Sequence, residues 1–359
     1  MLAVGGAAIH PHLNPIIAQK LRKDNIIMAH ELDMTNGRAN MAYVGSTPWH
    51  GLGSQLTDGA PLEVWAEEAG MAWTINTALL NYTDDTGTVR GYDDRRVLYR
   101  SDAKTPLSVV STDYKVVQPS EVMEFFRDLI ADHGFQMETA GCLFGGRKFW
   151  ALARCGDSFK LGGEDEVKPY LLMATSCDGS MATAAHFTSV RVVCNNTLRM
   201  SIGDDGRKAN IRVPHNAQFD AGSVKSQLGI VTDAWERFAE NVERLAMLKL
   251  DRDQAIDLVA RNLKAEWTDK DGNELSRDQI MDSSLLLRRI IRLYDGEALG
   301  ADFASAKGTG WGLINAVTQY FDHEAGGKTD KSRAFERAHL TDRAKFKVTI
   351  ANDLLALAA

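Results

Sequence analysis

The residue types suited to covalent chemistry are spread thinly along this chain. His186 and Cys194 are its nearest imidazole–thiol neighbours in sequence. They lie in one run, Thr183 to Cys194, that reads as a strand, so they stand roughly 25 Å apart. A direct thiolate–imidazolium pair is excluded by that spacing. No Gly-x-Ser-x-Gly elbow supplies a serine in its place. An enzyme built here would have to bring Asp178, His186 and Cys194 together around a pocket in the sheet.

Metal chemistry fares no better. The nine histidines are scattered, and the densest acid–imidazole group is Asp322-His323-Glu324 at a helix end. No His-Glu-x-x-His pair occurs. The segment Thr268 to Glu274, TDKDGNE, lacks the ligand order and distal glutamate of a calcium loop and reads as a β-turn between helices. GCLFGGRK, from Gly141 to Lys148, does not follow the phosphate-loop order and joins two strands. The residues therefore imply no cofactor and no catalytic set. Cys142, Cys155, Cys177 and Cys194 form no Cys-x-x-Cys pair and read as reduced, mostly buried thiols of one sheet.

What remains is basic and aromatic. The hairpin FGGRKFW leads into Arg147, Lys148, Phe149, Trp150 and Arg154. Alternation puts Arg147 with Phe149 on one side and Lys148, Trp150 and Arg154 on the other. Cations flanking an aromatic ring can grip a phosphate backbone and stack a base. Ala184 to Arg199 follows, with Arg191, Asn195, Asn196 and Arg199. Beyond it come Arg207, Lys208 and Arg212, opposed by Asp204 and Asp205. These residues are the candidates for holding a polyanion. Arg288, Arg289 and Arg292 make a second basic group, read as a solvated helix face.

The elements that must position them follow from periodicity. Residues 61–70 read as a short helix and Pro119 to His133 as an amphipathic one, with Val122, Phe125, Phe126, Leu129 and Ile130 on one face. Weak strands are expected over Thr74–Tyr82, Arg96–Arg100 and Leu107–Ser111, with DDTG and GYDD as turns. Four meander strands follow: Phe135–Leu143, Arg147–Cys155, Tyr170–Ser176 and Thr183–Cys194. The rest reads as helices over Val224–Leu250, Asp253–Leu263, Asp282–Tyr294, Trp311–His323 and Thr341–Leu357. The expected fold is α+β: an antiparallel β-meander sheet packed by a long helix, then a helical C-terminal half. Residues 1–27 read as a disordered leader, 28–215 as a mixed sheet domain and 216–359 as a helical region packing on it.

Composition sets the bounds. The chain has 359 residues, 44% of them hydrophobic and 25% charged, with a net charge of −7. That suits a soluble globular protein, and a basic face remains compatible with an acidic total. No apolar run reaches membrane-spanning length, so a cytoplasmic location is expected.

The segments MAHELDMTNGRANMAYVGSTPWHGLG, GCLFGGRKFWALAR, DGSMATAAHFTSVRVVCNNTL and WGLINAVTQYFDH resemble a phage/plasmid-like protein family of unassigned function. The order of helix, hairpin, strand and long helix is similar to the core of phage single-strand annealing proteins of the RecT/Redβ/Erf type. That second resemblance implies a basic groove for single-stranded DNA, subunits assembled in a ring or filament, and annealing without covalent catalysis. The competing expectations are a self-assembling or partner-binding accessory protein and a phage-encoded enzyme.

Overall fold

In the computed structural model the described residues are 32–35, 37–45, 52–191, 196–198, 210–228, 232–325 and 342–359. The leader expected over 1–27 lies outside them, as do Trp49 and His50, most of the polar link expected over Gly203–Pro214 and the loop expected from Gly326 to Lys331.

Short strands open the described chain: β1 (Met34–Thr35), β2 (Arg38–Ala39), β3 (Met41–Val44) and β4 (Ser54–Leu56). Helix α1 (Leu62–Glu68) follows, with Pro61 before its first turn and Gly70, at φ 67°, after its end. Three strands then form a sheet of their own in the order β5 (Ile75–Thr83), β6 (Val89–Arg100), β7 (Pro106–Ser111). DDTG is the expected turn between β5 and β6. GYDD is not a turn. It lies inside β6, where the register against β5 shifts at Leu79/Leu80. Val89 to Tyr92 lie opposite Leu80 to Thr83 of β5, whereas Asp93 and Asp94 fall in the bulge, where the Asp94 carbonyl accepts from the Thr112 amide at 3.3 Å.

Helix α2 (Pro119–His133) covers one face of the large sheet. Val122, Phe125, Phe126 and Leu129 are fully buried, at roughly 1.5–3 kcal/mol of apolar burial for each large side chain. Gly134 ends it in the left-handed conformation at φ 68°. The meander comes next as β8 (Gln136–Leu143), β9 (Lys148–Arg154), β10 (Phe159–Leu161), β11 (Asp165–Ser176) and β12 (Thr183–Arg191), then β13 (Asn196–Leu198) and β14 (Asn210–Val213). The sheet order is β13-β12-β11-β9-β8-β3-β4, with β10 beside β11 and β14 beside β12. Its long neighbours are antiparallel, and among the described residues only β3 and β4 run parallel. Leu171, Met173, Phe149 and Ala151 face α2, while Leu172, Ala174 and Trp150 face Leu32, Met41 and Met181.

The helical half is α3 (Ala221–Leu228), α4 (Thr232–Met247), α5 (Arg252–Asn262), α6 (Arg277–Ser283), α7 (Leu285–Arg292), α8 (Gly310–Gln319) and α9 (Asp342–Leu357). Of the long helix expected over Val224–Leu250 the described residues show α3 and α4, and residues 229–231 between them lie outside the described residues. The helix expected over Asp282–Tyr294 is also divided. Ser284 is extended there, and its hydroxyl accepts from the Leu287 amide to start α7. Helix α8 is buried all round, and a Cβ on Gly312 would lie 1.9 Å from the Ala306 carbonyl oxygen. Asp165 of β11 accepts hydrogen bonds from Ser305 Oγ at 2.8 Å and Trp311 Nε1 at 2.9 Å. Leu161 and Val167 of the sheet share one core with α4, α5, α8 and α9. The architecture is thus α+β, with antiparallel sheets and a helical C-terminal half. Among the described residues no helix is long and apolar enough to cross a membrane.

Candidate nucleic-acid interface

The β8–β9 turn is built on Gly145 and Gly146, with φ of 74° and 86°. A Cβ on Gly146 would sit 2.6 Å from the Trp73 ring and 2.9 Å from Arg100 Nη1, so no larger residue fits. Arg100, from the end of β6, packs 4.3 Å from the centroid of the Trp73 ring. Its Nε and Nη2 donate to Asp102 at 2.9 and 2.8 Å, and its Nη1 reaches Asp33 at 3.5 Å and the Gly145 carbonyl at 3.4 Å. Asp33 also accepts from the Gly145 amide. Hydrogen bonds from Arg100 hold the Asp102 carboxyl down at about 2, whereas burial raises that of Asp33. One guanidinium therefore fastens the small sheet to the turn of the large one.

Beside this turn Arg147 is exposed and its carbonyl accepts from the Cys177 amide at 2.8 Å. Ser108 of β7 donates to the Cys177 carbonyl at 2.6 Å, which sets the small sheet next to Arg147. Exposed Lys115 is tied to the same end: its amide donates to the His215 carbonyl at 2.6 Å. The His215 ring also stacks on Tyr114 at 4.4 Å. Exposed Arg212 precedes it on β14.

The other expected site residues are placed differently. Strand β9 is central, between β8 and β11, so its cations are not on a sheet edge. Lys148 is only 8% exposed, with its ammonium 5.0 Å from the Phe144 centroid. Trp150 is 7% exposed and packs against Gly141, where a Cβ would meet its ring at 2.4 Å. Its ring is spent on the core and does not stand ready for a base. Arg154 is half-buried and donates to Gln136 Oε1. Arg191 and Asn196 pair with each other at the opposite end of the sheet. Lys148 pairs with Ser176, and Arg191 with Val167, so nine residues of β11, about 30 Å, separate the two groups. Asn195, Arg199, Arg207 and Lys208 lie outside the described residues.

The alternative sites also come apart. His186 is fully buried opposite Leu172, while Asp178 sits in the β11–β12 turn beyond Ser176, and Cys194 lies outside the described residues. Burial pushes the thiols of Cys155 and Cys177 up to about 12 and that of Cys142 up as well, so none is a ready nucleophile. Arg288 pairs with Asp282 and Arg292 with Glu297, while Arg289 pairs with both Glu297 and Glu324. That helix face is charge-neutralised. Among the described residues no group of three or more His, Cys, Asp or Glu could hold a metal ion.

An unexpected surface lies on the β5–β6 hairpin. Register pairs Asn76 with Tyr99, Ala78 with Val97, Leu80 with Tyr92 and Tyr82 with Arg90, which sets all eight on one face. Val109 joins them opposite Val97. The other face supplies Ile75 and Leu98 to the core. On the open face Tyr82 and Tyr92 are 50% and 48% exposed, and Val109 53%. Aromatic and aliphatic side chains at every second position were the available signal. The glycine and paired aspartates of GYDD masked it. Arg90 lies on this face and pairs with Asp84 at 2.5 Å near the tip.

A family described as a domain of unknown function, DUF932, matches residues 106–344, which takes in the large sheet from β8 onward and helices α2 to α8. No curated protein and no solved structure matches the chain. Since the match spans more than half of the 359 residues, the chain belongs to the DUF932 family.

Proposed function

We propose that the protein binds single-stranded nucleic acid and acts in strand annealing, as expected of a mobile-element recombination protein working in the cytoplasm. The observation that supports this reading is the open face of the three-stranded sheet, with Tyr82 and Tyr92 half-exposed and Arg90 beside them. Aromatic rings on a solvent-facing sheet stack bases without regard to sequence. Exposed Arg147, Lys115 and Arg212 lie around the adjoining end of the large sheet and supply phosphate contacts. The reading shifts the base-stacking role from Trp150 to Tyr82 and Tyr92 and keeps Arg147.

Fluorescence anisotropy with a labelled oligonucleotide tests it. Affinity at about 50 mM salt should fall steeply with added salt, since phosphate contacts release counterions. Replacing Tyr82 and Tyr92 together by Ala should weaken binding at least about tenfold, from stacking of about 1–3 kcal/mol per base. Absence of binding at low salt sinks the proposal. Binding that survives the double replacement moves it off this face.

The exposed aliphatic side chains on the same hairpin favour a second reading, self-association without nucleic acid. Leu79 is 84% exposed and Val89 68%. Light scattering in the presence and absence of oligonucleotide separates the two readings.

A further inference from the structure

Among the described residues, strand β5 has β6 on one side and no strand on the other. At its root this outer edge is closed by a side chain. The Ile75 amide donates to Gln118 Oε1 at 2.8 Å, and the Ile75 carbonyl accepts from Gln118 Nε2 at 3.1 Å. The carboxamide thus imitates one residue of a neighbouring strand. It also fixes the phase: odd-numbered residues of β5 turn their backbone groups outward and even-numbered ones inward. The Asp84 amide, an even position, donates inward to the Thr88 carbonyl at 3.0 Å. Beyond the Gln118 cap, the N–H and C=O groups of Thr77, Leu79, Asn81 and Thr83 therefore form an open edge.

Proteins usually guard such an edge with a charge, a proline or a bulge. Ile75 to Thr83, INTALLNYT, contains neither a charge nor a proline. The extra residues at the register shift fall on β6, the inner strand, between Tyr92 and Arg96. Leu79, in the middle of the open stretch, is 84% exposed.

We propose that this edge is the contact for a second copy of the same chain, with β5 pairing antiparallel to its own counterpart. A two-fold axis perpendicular to the sheet at Leu79 or Leu80 sets a leucine opposite its own copy. It also brings odd positions to odd positions, so open donors meet open acceptors. An uncharged strand meets itself without like-charge repulsion, whereas a charged partner strand would find no countercharge on it. Antiparallel pairing places each acidic tip, Asp84 and Asp85, beside the root of the other hairpin and away from its like. The contact is isologous and closes as a dimer. The two small sheets become one six-stranded sheet, and the Tyr82–Tyr92 face continues across the axis. The proposal adds the interface to the self-association expected above, and its test uses no nucleic acid, so either reading can fail without the other.

Sedimentation velocity at tens of micromolar protein reads the outcome. The wild-type chain is expected to sediment as a dimer. Leu79→Pro removes an outward N–H without breaking an inner ladder bond, and Leu79→Lys puts like charges at the axis. Each is expected to give a monomer with an unchanged far-ultraviolet circular dichroism spectrum. A monomeric wild-type protein overturns the proposal, as does a folded Leu79→Lys variant whose mass equals that of the wild type. If Leu79→Pro fails to fold, the lysine variant decides alone.

Discussion

Replacing Arg100 by Met should be among the most damaging single changes outside the helical half. Arg100 is 8% exposed and serves Trp73, Asp102, Asp33 and the Gly145 carbonyl at once. The Trp73 contact is worth about 1 kcal/mol at this degree of burial. The Asp102 pair is bidentate, but its carboxylate side chain is 47% exposed, so solvent screening leaves about 0.5 kcal/mol. Asp33 is 11% exposed and would lose the Arg100 charge beside it, a loss of about 2 kcal/mol. The sum is about 3–4 kcal/mol. Methionine keeps much of the apolar stem against Trp73, so packing loss adds little. Urea unfolding followed by tryptophan fluorescence measures the change. A cycle with Asp33→Asn isolates the Asp33 share, expected at about 1 kcal/mol or more of coupling. A loss below about 1 kcal/mol for Arg100→Met, or zero coupling with Asp33, would falsify the assignment of Arg100 as the fastener between the two sheets.

Gly141→Ala should destabilise by about 1–3 kcal/mol, because its Cβ would press on the Trp150 ring at 2.4 Å in a closed part of the core; Trp150→Leu should relieve part of that strain, and no rescue in the double variant would count against it. Stability should fall in alkali. With folded values of about 12 against about 9 unfolded, Cys155 and Cys177 stay protonated in the native protein, so stability present below pH 9 is lost between pH 9 and 12, by about 1.4 kcal/mol per thiol at pH 10. Urea midpoints at pH 8 and 10, with Cys177→Ala shrinking the difference, check this. In acid, the Arg100–Asp102 bond should hold above pH 4 and weaken as pH falls toward 2, since its carboxyl is depressed to about 2; the Asp102→Asn variant should lose that part of the pH dependence. Arg147→Ala should change stability by no more than about 0.5 kcal/mol, because the side chain is exposed, while weakening oligonucleotide binding and its salt slope.

The meander was legible because clear turn residues, Gly145-Gly146 and Asp178-Gly179, separate short apolar runs. Helix α2 was legible from its one apolar face. The candidate site was harder to read. Cation and aromatic positions along Arg147–Arg154 look the same in sequence whether the strand is central or at an edge. Only the pairing of β9 with both β8 and β11 reveals that Lys148 and Trp150 are enclosed. The separation of Arg147 from Arg191 is a matter of register, which individual strand patterns do not carry. The small sheet was underestimated for a related reason. Gly91, Asp93 and Asp94 are turn formers; in the strand Gly91 lies opposite Asn81 of β5, and the two aspartates sit in the bulge of β6, which no single-strand pattern announces. Arg289 and Arg292 looked basic because their acidic partners, Glu297 and Glu324, come from later in the chain.

The bond between Asp165 and Trp311 joins residues 146 positions apart. At about 5–20 residues per second, a ribosome needs roughly 7–30 s to travel from one to the other. Throughout that interval β11 has emerged with a carboxylate and two core residues, Leu161 and Val167 nearby, awaiting a helix that does not yet exist. The sheet must therefore persist half-clothed during synthesis, and its protection against premature association depends on how quickly the final third of the chain arrives.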